Sequence, residues 1–176
     1  EEYSSSLGNT AHHPRGALAF KFYDETYSTR FFNIEWTMGR LGTLTPVAVF
    51  ESVEIDGAEV SRANLHNISI MKELLGDKPY QGQKIEVYRS NMIIPQIYSA
   101  DKSEPTVRVE YFKIPEICPY CGAKLTQKNE NGSIVLYCNN SECESNLVVR
   151  LDHFAGKKGL DIKGLSRATL EKLINY

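Results

Sequence analysis

The sequence predicts a mainly β chain: a small closed barrel, a compact cysteine knuckle after it, and a short helical segment at the end. Three observations carry this. Apolar residues alternate with period two in several runs between residues 31 and 112. All four cysteines fall within residues 118–143. Residues 147–176 then change to helical spacing around a glycine-containing turn. Alternation marks half-buried strands, and a 3.6-residue apolar period marks helices.

The elements follow in order. In FFNIEW, alternation places Phe32, Ile34 and Trp36 on one face of a first strand. In LTPVAVFESVEI it places Val47, Val49, Val53 and Ile55 on one face of a second. Asp56-Gly57 is a hairpin signal, because such turns need φ > 0 at their central residues, and AEVSRANL returns from it. NISIMKELLG switches period: Ile68, Met71, Leu74 and Leu75 form a helical stripe, with Asn67 suited to cap it and Gly76 to end it. KIEVYR and IIPQIYSA resume as strands, and TVRVEYF is expected as a last one. Strands, one helix, then strands suggest an OB-type barrel over residues 27–112, with any other small barrel or sandwich as the alternative.

Bulk composition sets limits. With 41% hydrophobic and 24% charged residues the 176-residue chain should fold and stay in solution. No apolar run nears the roughly 18–20 residues of a membrane span. The opening EEYSSSLGN and the closing RATLEKLINY read as a piece of a longer protein. A net charge of −2 excludes a globally basic nucleic-acid binder. Charge is uneven, however. Residues 31–112 carry eight basic and eleven acidic side chains, whereas residues 147–176 carry six basic and three acidic. Any contact with a polyanion is expected to be local.

The cysteine spacing is C-x2-C-x16-C-x4-C, made by Cys118, Cys121, Cys138 and Cys143. A C-x2-C pair followed by glycine permits the tight turn that aims two sulfurs at one ion, and four thiolates meet the tetrahedral demand of Zn2+. Two disulfides are the alternative, and nothing in the sequence marks a secreted chain. The segment 113–146 has few large apolar residues, so ligation worth about 10–16 kcal/mol would supply what its core lacks. With four sulfurs and no open position, such a zinc is structural. Beyond it, NLVVRLDHFAGKKGLDIKGLSRATLEKLI reads as helix, turn, helix, with Gly164 between Ile162 and Leu165. That is similar to a helix-hairpin-helix, whose exposed backbone N–H groups can hold a phosphate.

Three phrases, HHPRGALAFKF (12–22), GRLGTLTPVAVFESVEIDGAEVSRANLHN (39–67) and RSNMIIPQI (89–97), followed by the four-cysteine segment, together resemble bacterial NAD+-dependent DNA ligase. The resemblance runs from about residue 10 to 176 in family order. It implies the end of an adenylation domain or linker at 1–26, the OB domain at 27–112, a zinc finger at 113–146 and the start of a helix-hairpin-helix domain at 147–176. In that family AMP passes from NAD+ to a lysine, then to the 5′-phosphate of a nick, which is sealed with Mg2+ present. The nucleophilic lysine lies in a K-x-D-G motif. No such motif occurs in this chain, and its nearest look-alike, EIDG (54–57), lacks the lysine. The chain by itself is therefore expected to be inactive.

What the resemblance implies can be carried to single residues. Lys21 of AFKF matches a family lysine near the AMP phosphate, where positive charge stabilises the transfer. Arg40 of GRLG and Arg89 of RSNMIIP match DNA-facing positions, and a guanidinium offers phosphate five donors in a rigid fork. Ile93 and Ile94 match an apolar pair that presses into the minor groove beside the nick, with ordinary strand core as the alternative. Arg62 and His66 are further candidates, His66 being more often structural. Two departures stand out. Arg89-Ser90-Asn91-Met92 replaces the family's R-A-G-D, and Ser166 stands where a second hairpin glycine is common. Asn tolerates the left-handed backbone, so the first turn can survive.

The implied protein is a monomeric bacterial cytoplasmic enzyme, associated with the nucleoid, that binds nicked duplex DNA and works with an adenylation domain of the same chain. The alternative is a stand-alone OB and zinc-ribbon module for single strands or a protein partner. Against it, the barrel has no clear row of aromatics for stacking; Tyr88 and Tyr98 are the obvious candidates.

Overall fold

The computed structural model describes Tyr3, residues 6–18 and residues 25–174. From residue 25 onward the elements are β1 (Tyr27–Met38), β2 (Thr43–Ile55), β3 (Ala58–Asn64), α1 (Ile68–Leu75), β4 (Lys84–Ser90), β5 (Ile94–Ala100), β6 (Leu125–Glu130), β7 (Ser133–Cys138), α2 (Glu144–Ala155) and α3 (Arg167–Ile174). The chain is mainly β, as its alternation predicts. The strands lie in the order β5-β4-β1-β2-β7-β6, with β3 also on β2.

β1 makes the barrel. Its first residues, Tyr27–Arg30, pair with β4, and Phe31–Met38 pair with β2. One strand thus serves two sheets, and a bulge sits where it changes partner: the register with β2 shifts between Phe31 and Asn33. An extra residue bends a strand and reverses which side chains face inward. Phe31 and Ile34 are consequently buried while Phe32 is exposed, which corrects the expectation that Phe32 shares a face with Ile34 and Trp36. β2 carries a similar irregularity against β3, between Val49 and Val53. Its buried residues are Leu44, Pro46, Ala48 and Phe50 before the shift and Ile55 after it. Val47 and Val49, expected to share a face with Ile55, lie half-buried on the other face.

The first hairpin turns at Asp56 and Gly57, both with positive φ (51° and 72°), as that dipeptide predicts. α1 is also as expected. Asn67 caps it, its side chain accepting the Ile70 N–H at 2.9 Å, and Gly76 ends it at φ 90°. The helix buries Ile68, Met71 and Leu75 against the barrel. Gln83 fixes the loop beyond it, donating to the carbonyls of Leu75 and Asp101, both at 2.8 Å.

TVRVEYF does not form the last strand. Tyr111 makes an isolated bridge to Tyr80, flanked by the bonds Gln81 N–H to Glu110 O (3.0 Å) and Phe112 N–H to Pro79 O (2.8 Å). The segment meets a turn rather than a strand, and Pro79 has no N–H to extend a ladder. Phe112 still packs edge-on against Phe31, centroids 5.4 Å apart.

β6 and β7 form a hairpin turning at Asn131-Gly132. β7 continues the edge of β2 beyond the reach of β3, through Thr43↔Tyr137 and Leu44↔Leu136. The Ile134 N–H donates to Ser69 Oγ of α1 at 2.9 Å. Leu125, Leu136, Cys118, Cys138 and Cys143 belong to the same apolar cluster as Phe31 and Phe50. Cysteine knuckle and barrel are therefore packed on one core. Fully burying one aromatic such as Phe31 contributes about 1.5–3 kcal/mol.

Candidate metal centre and nucleic-acid interface

The knuckle is built from two turns. In the first, the Cys118 N–H donates to Ala123 O at 2.7 Å and the Gly122 N–H to Cys118 O at 2.9 Å, with Gly122 at φ 72°. In the second, the Cys143 N–H donates to Asn140 O at 3.2 Å, and α2 begins at the next residue. The four Sγ atoms all lie within 4.8 Å of one another, and Cys121 Sγ is 3.6 Å from Cys138 Sγ. Tetrahedral Zn2+ with bonds of about 2.3 Å spaces its sulfurs by about 3.8 Å, so the cluster fits that ion. All four thiols are free and face one another, the arrangement a single ion requires rather than two separate bridges.

Burial pushes the Cys138 thiol up to about 12 and raises Cys143 as well. Burial also acts upward on Cys121. There, hydrogen bonds from the Ala123 backbone and from Asn140, Cys138 and Cys118 outweigh it, and the thiol falls to about 7. A dication is what allows four crowded sulfurs to be thiolates together.

The knuckle is fastened at points that the spacing does not reveal. The Tyr120 hydroxyl, inside the C-x2-C turn, donates to Trp36 O of β1 at 2.6 Å. The Cys138 N–H donates to Gly42 O at 2.8 Å. Asn146, in the first turn of α2, reaches the β1–β2 turn: with its amide turned so that oxygen faces Gly42, it donates to Arg40 O and accepts from the Gly42 N–H, both at 3.2 Å. Each joins segments about a hundred residues apart, and no local motif signals them.

The candidate DNA residues are spread along the barrel. Arg40 projects from the β1–β2 turn, its Nη1 3.0 Å from His153 Nε2 of α2. Arg62 on β3 is ion-paired with Glu35 at 2.8 Å. Arg89 on β4 donates to Ile55 O at 3.2 Å, at the far end of β2. Ile93 and Ile94, at the tip between β4 and β5, are 70% and 54% exposed, so neither is strand core. Met92 stands beside them, also exposed. The tip turns through Asn91 and Met92, at φ 53° and 60°. His66 has φ 60° and its N–H donates to Asn64 Oδ1 at 2.7 Å; its backbone turns the chain into α1 while its ring is exposed. Lys21 lies outside the described residues.

Arg40 and Arg89 are thus not one cluster. They lie near opposite ends of β2, a 13-residue strand. In the helical segment, Gly164 turns at φ 79° and Ser166 caps α3: its Oγ accepts the Thr169 N–H at 3.3 Å, and its carbonyl accepts the Leu170 N–H at 3.0 Å. Among the described residues no helix is long and apolar enough to cross a membrane.

Comparison with known proteins agrees with this architecture. The family model described as the NAD-dependent DNA ligase OB-fold domain matches residues 28–108. The chain is 49% identical over 173 residues to the DNA ligase of Ruminiclostridium cellulolyticum, covering 98% of this chain and 25% of that protein. It is 44% identical to the DNA ligase of Lachnoclostridium phytofermentans, over 98% of this chain and 25% of that one. It is 37% identical to that of Thermosipho africanus, over 99% and 26%. The chain spans about a quarter of the length of the curated relatives it matches. Through residues 28–108 the chain belongs to the family of NAD-dependent DNA ligase OB-fold domains.

Proposed function

We propose that this chain is the DNA-gripping portion of an NAD+-dependent ligase that seals 5′-phosphate/3′-hydroxyl nicks in replication and repair. The observation that carries this is the exposed apolar tip Met92-Ile93-Ile94, standing on a hairpin whose Arg89 is anchored to the end of β2. Three bulky apolar side chains in water at one turn are a surface made for a partner, and a distorted duplex offers unstacked base faces to cover. Arg89 beside one end of β2 and Arg40 beside the other would supply separate phosphate contacts.

In this reading the zinc knuckle is a joint. Cys118, Cys121, Cys138 and Cys143 hold Zn2+, which gives rigidity and no catalysis, and α2 leaves the last ligand directly. The adenylation lysine, NAD+ and Mg2+ belong to the rest of the protein, with Lys21 the chain's own candidate beside AMP. The chain alone is not expected to seal DNA. The parent works in the bacterial cytoplasm, associated with the nucleoid, as a monomer with its adenylation domain in the same polypeptide.

The test is one titration at low salt against nicked duplex, intact duplex and single strand. The expected order is nicked, then intact, then single strand, with affinity falling steeply as salt rises. Preference for single strand would overturn the reading in favour of a stacking module using Tyr98, whose exposed ring packs edge-on against Tyr88 at 6.1 Å.

A further inference from the structure

The Arg40–His153 contact joins the barrel to the first helix of the C-terminal segment, and its chemistry is restrictive. A guanidinium has no acceptor and does not lose its proton in proteins, so it must be the donor. Nε2 of His153 must then be the acceptor, which requires the neutral ring with its proton on Nδ1. A protonated imidazole has no lone pair left and would set charge against charge at 3.0 Å.

The surroundings are arranged around that pair. Arg40 and Leu41 of the β1–β2 turn face Leu147, Arg150, Leu151, His153 and Phe154 of α2 across an open groove of about 420 Å3. Among the described residues no carboxylate lines the groove. α3, which packs on α2, contributes Lys172 and the pair Arg167–Glu171 at 3.1 Å. His153 itself lies in the last turn of α2. The main chain of Arg40 is fixed separately: Asn146 holds its carbonyl, and the Gly39 N–H donates to Thr43 O at 2.7 Å. The backbone is set by α2's first turn and the guanidinium by its last.

We propose that His153 is a positioning residue for Arg40 in duplex binding: its neutral ring accepts one N–H of the fork and turns the remaining donors outward to a DNA phosphate. Protonation of the ring withdraws that support and adds repulsion, so the grip weakens in acid. This rests on Arg40 contacting DNA, as in the proposed function.

The test uses the whole zinc-loaded chain and a fluorescein-labelled nicked duplex, at fixed ionic strength, with acidification from about pH 8 to 6 as a second axis. Four proteins are compared: the wild type, Arg40→Ala, His153→Phe and His153→Gln. Zinc content and circular dichroism are measured at each pH. His153→Phe should bind about 3- to 10-fold more weakly at pH 8, the size of one lost hydrogen bond. His153→Gln, whose amide oxygen can accept, should recover most of that loss. On acidification the wild type should lose more affinity than His153→Gln, since both carry the same zinc site. If Arg40→Ala binds like wild type, Arg40 has no part in DNA binding and the proposed function loses that contact. If Arg40→Ala weakens binding while His153→Phe does not, the positioning role alone is overturned. Coincident pH profiles for wild type and His153→Gln would overturn it too, leaving His153 a packing residue.

Discussion

Gly42 and Cys138 lie backbone against backbone. The Cys138 N–H donates to Gly42 O at 2.8 Å, and a Cβ on Gly42 would stand 2.6 Å from the Cys138 carbonyl oxygen. Gly42 also has φ 80°, a conformation that L side chains rarely adopt. The glycine that closes the first barrel turn is thus the surface on which a candidate metal ligand rests. Gly42→Ala should cost at least about 1–3 kcal/mol from backbone strain alone. It should also loosen the metal, because disturbing a ligand's supporting shell typically costs about 10–100-fold in affinity. Urea unfolding and competition with a chromogenic chelator measure the two effects. Unchanged chelator competition would separate the barrel turn from the metal site.

Removing the ion should loosen residues 118–148 and leave β1–β5 standing. The knuckle's hold on the barrel is narrow: β7 meets β2 at Thr43↔Tyr137 and Leu44↔Leu136, whereas β1 and β2 are paired from Phe31 to Met38. Hydrogen exchange with and without chelator should therefore show new exchange in β6, β7 and the first turn of α2, and at the Thr43–Leu44 edge. Because Leu125 and Leu136 share the barrel's core, some stability of the whole will be lost as well. Exchange spreading through β4 and β5 would show that the metal holds the barrel itself together.

Metal affinity should rise with pH. Cys138 is held up to about 12 and Cys143 is raised, so in the absence of metal both thiols are protonated at neutral pH. The ion must expel at least these two protons, which corresponds to about a hundredfold gain in apparent affinity per pH unit. The sign is fixed by the direction of the shifts: stability contributed by the metal is present at high pH and lost as pH falls. Zinc competition between about pH 6 and 8 measures the slope. A flat profile would mean the thiols are already ionised.

How far the sequence reached depends on the range of each signal. Local chemistry was legible: Asp56-Gly57 turns, Asn67 caps, Gly76 stops a helix, and the cysteine spacing marks one cluster. The core faces of β1 and β2 were partly misread because a bulge reverses the alternation, and no residue near Phe31–Asn33 announces one. TVRVEYF alternates well but meets a turn, so its periodicity had no neighbour to satisfy. Around the candidate site, the grouping of the four cysteines was legible and Ile93 and Ile94 are exposed at the tip. Tyr120, Asn146 and His153 could not, since each acts on a segment far away in the chain.

Gln83 is a buried polar side chain, 1% exposed, and its amide satisfies the carbonyls of Leu75 and Asp101. It ties the end of α1 to the segment that follows β5. Gln83→Leu fills similar space but leaves those acceptors without the donor, at a cost of about 1–3 kcal/mol each. Unfolding should shift accordingly, with the cysteine cluster and the β4–β5 tip intact. A stability equal to wild type would mean that water replaces the amide.

The hairpin tip separates stability from binding. Ile93 and Ile94 are largely exposed, so Ile93→Asp with Ile94→Asp should leave the unfolding midpoint within about 0.5 kcal/mol. The same change removes the apolar wedge and sets two carboxylates against phosphate, so nicked-duplex affinity should fall by more than about tenfold. Arg89→Ala behaves differently. It loses the bond to Ile55 O, costing about 1 kcal/mol of stability, together with any phosphate contact. On the proposed function, Arg89→Ala in the complete enzyme should slow nick sealing far more than self-adenylation, because in that reading only sealing requires a duplex on the barrel. Equal losses in both steps would move Arg89 from DNA binding to the general integrity of the fold, whereas a double-aspartate tip with wild-type affinity would remove the wedge and leave the arginines to carry the contact.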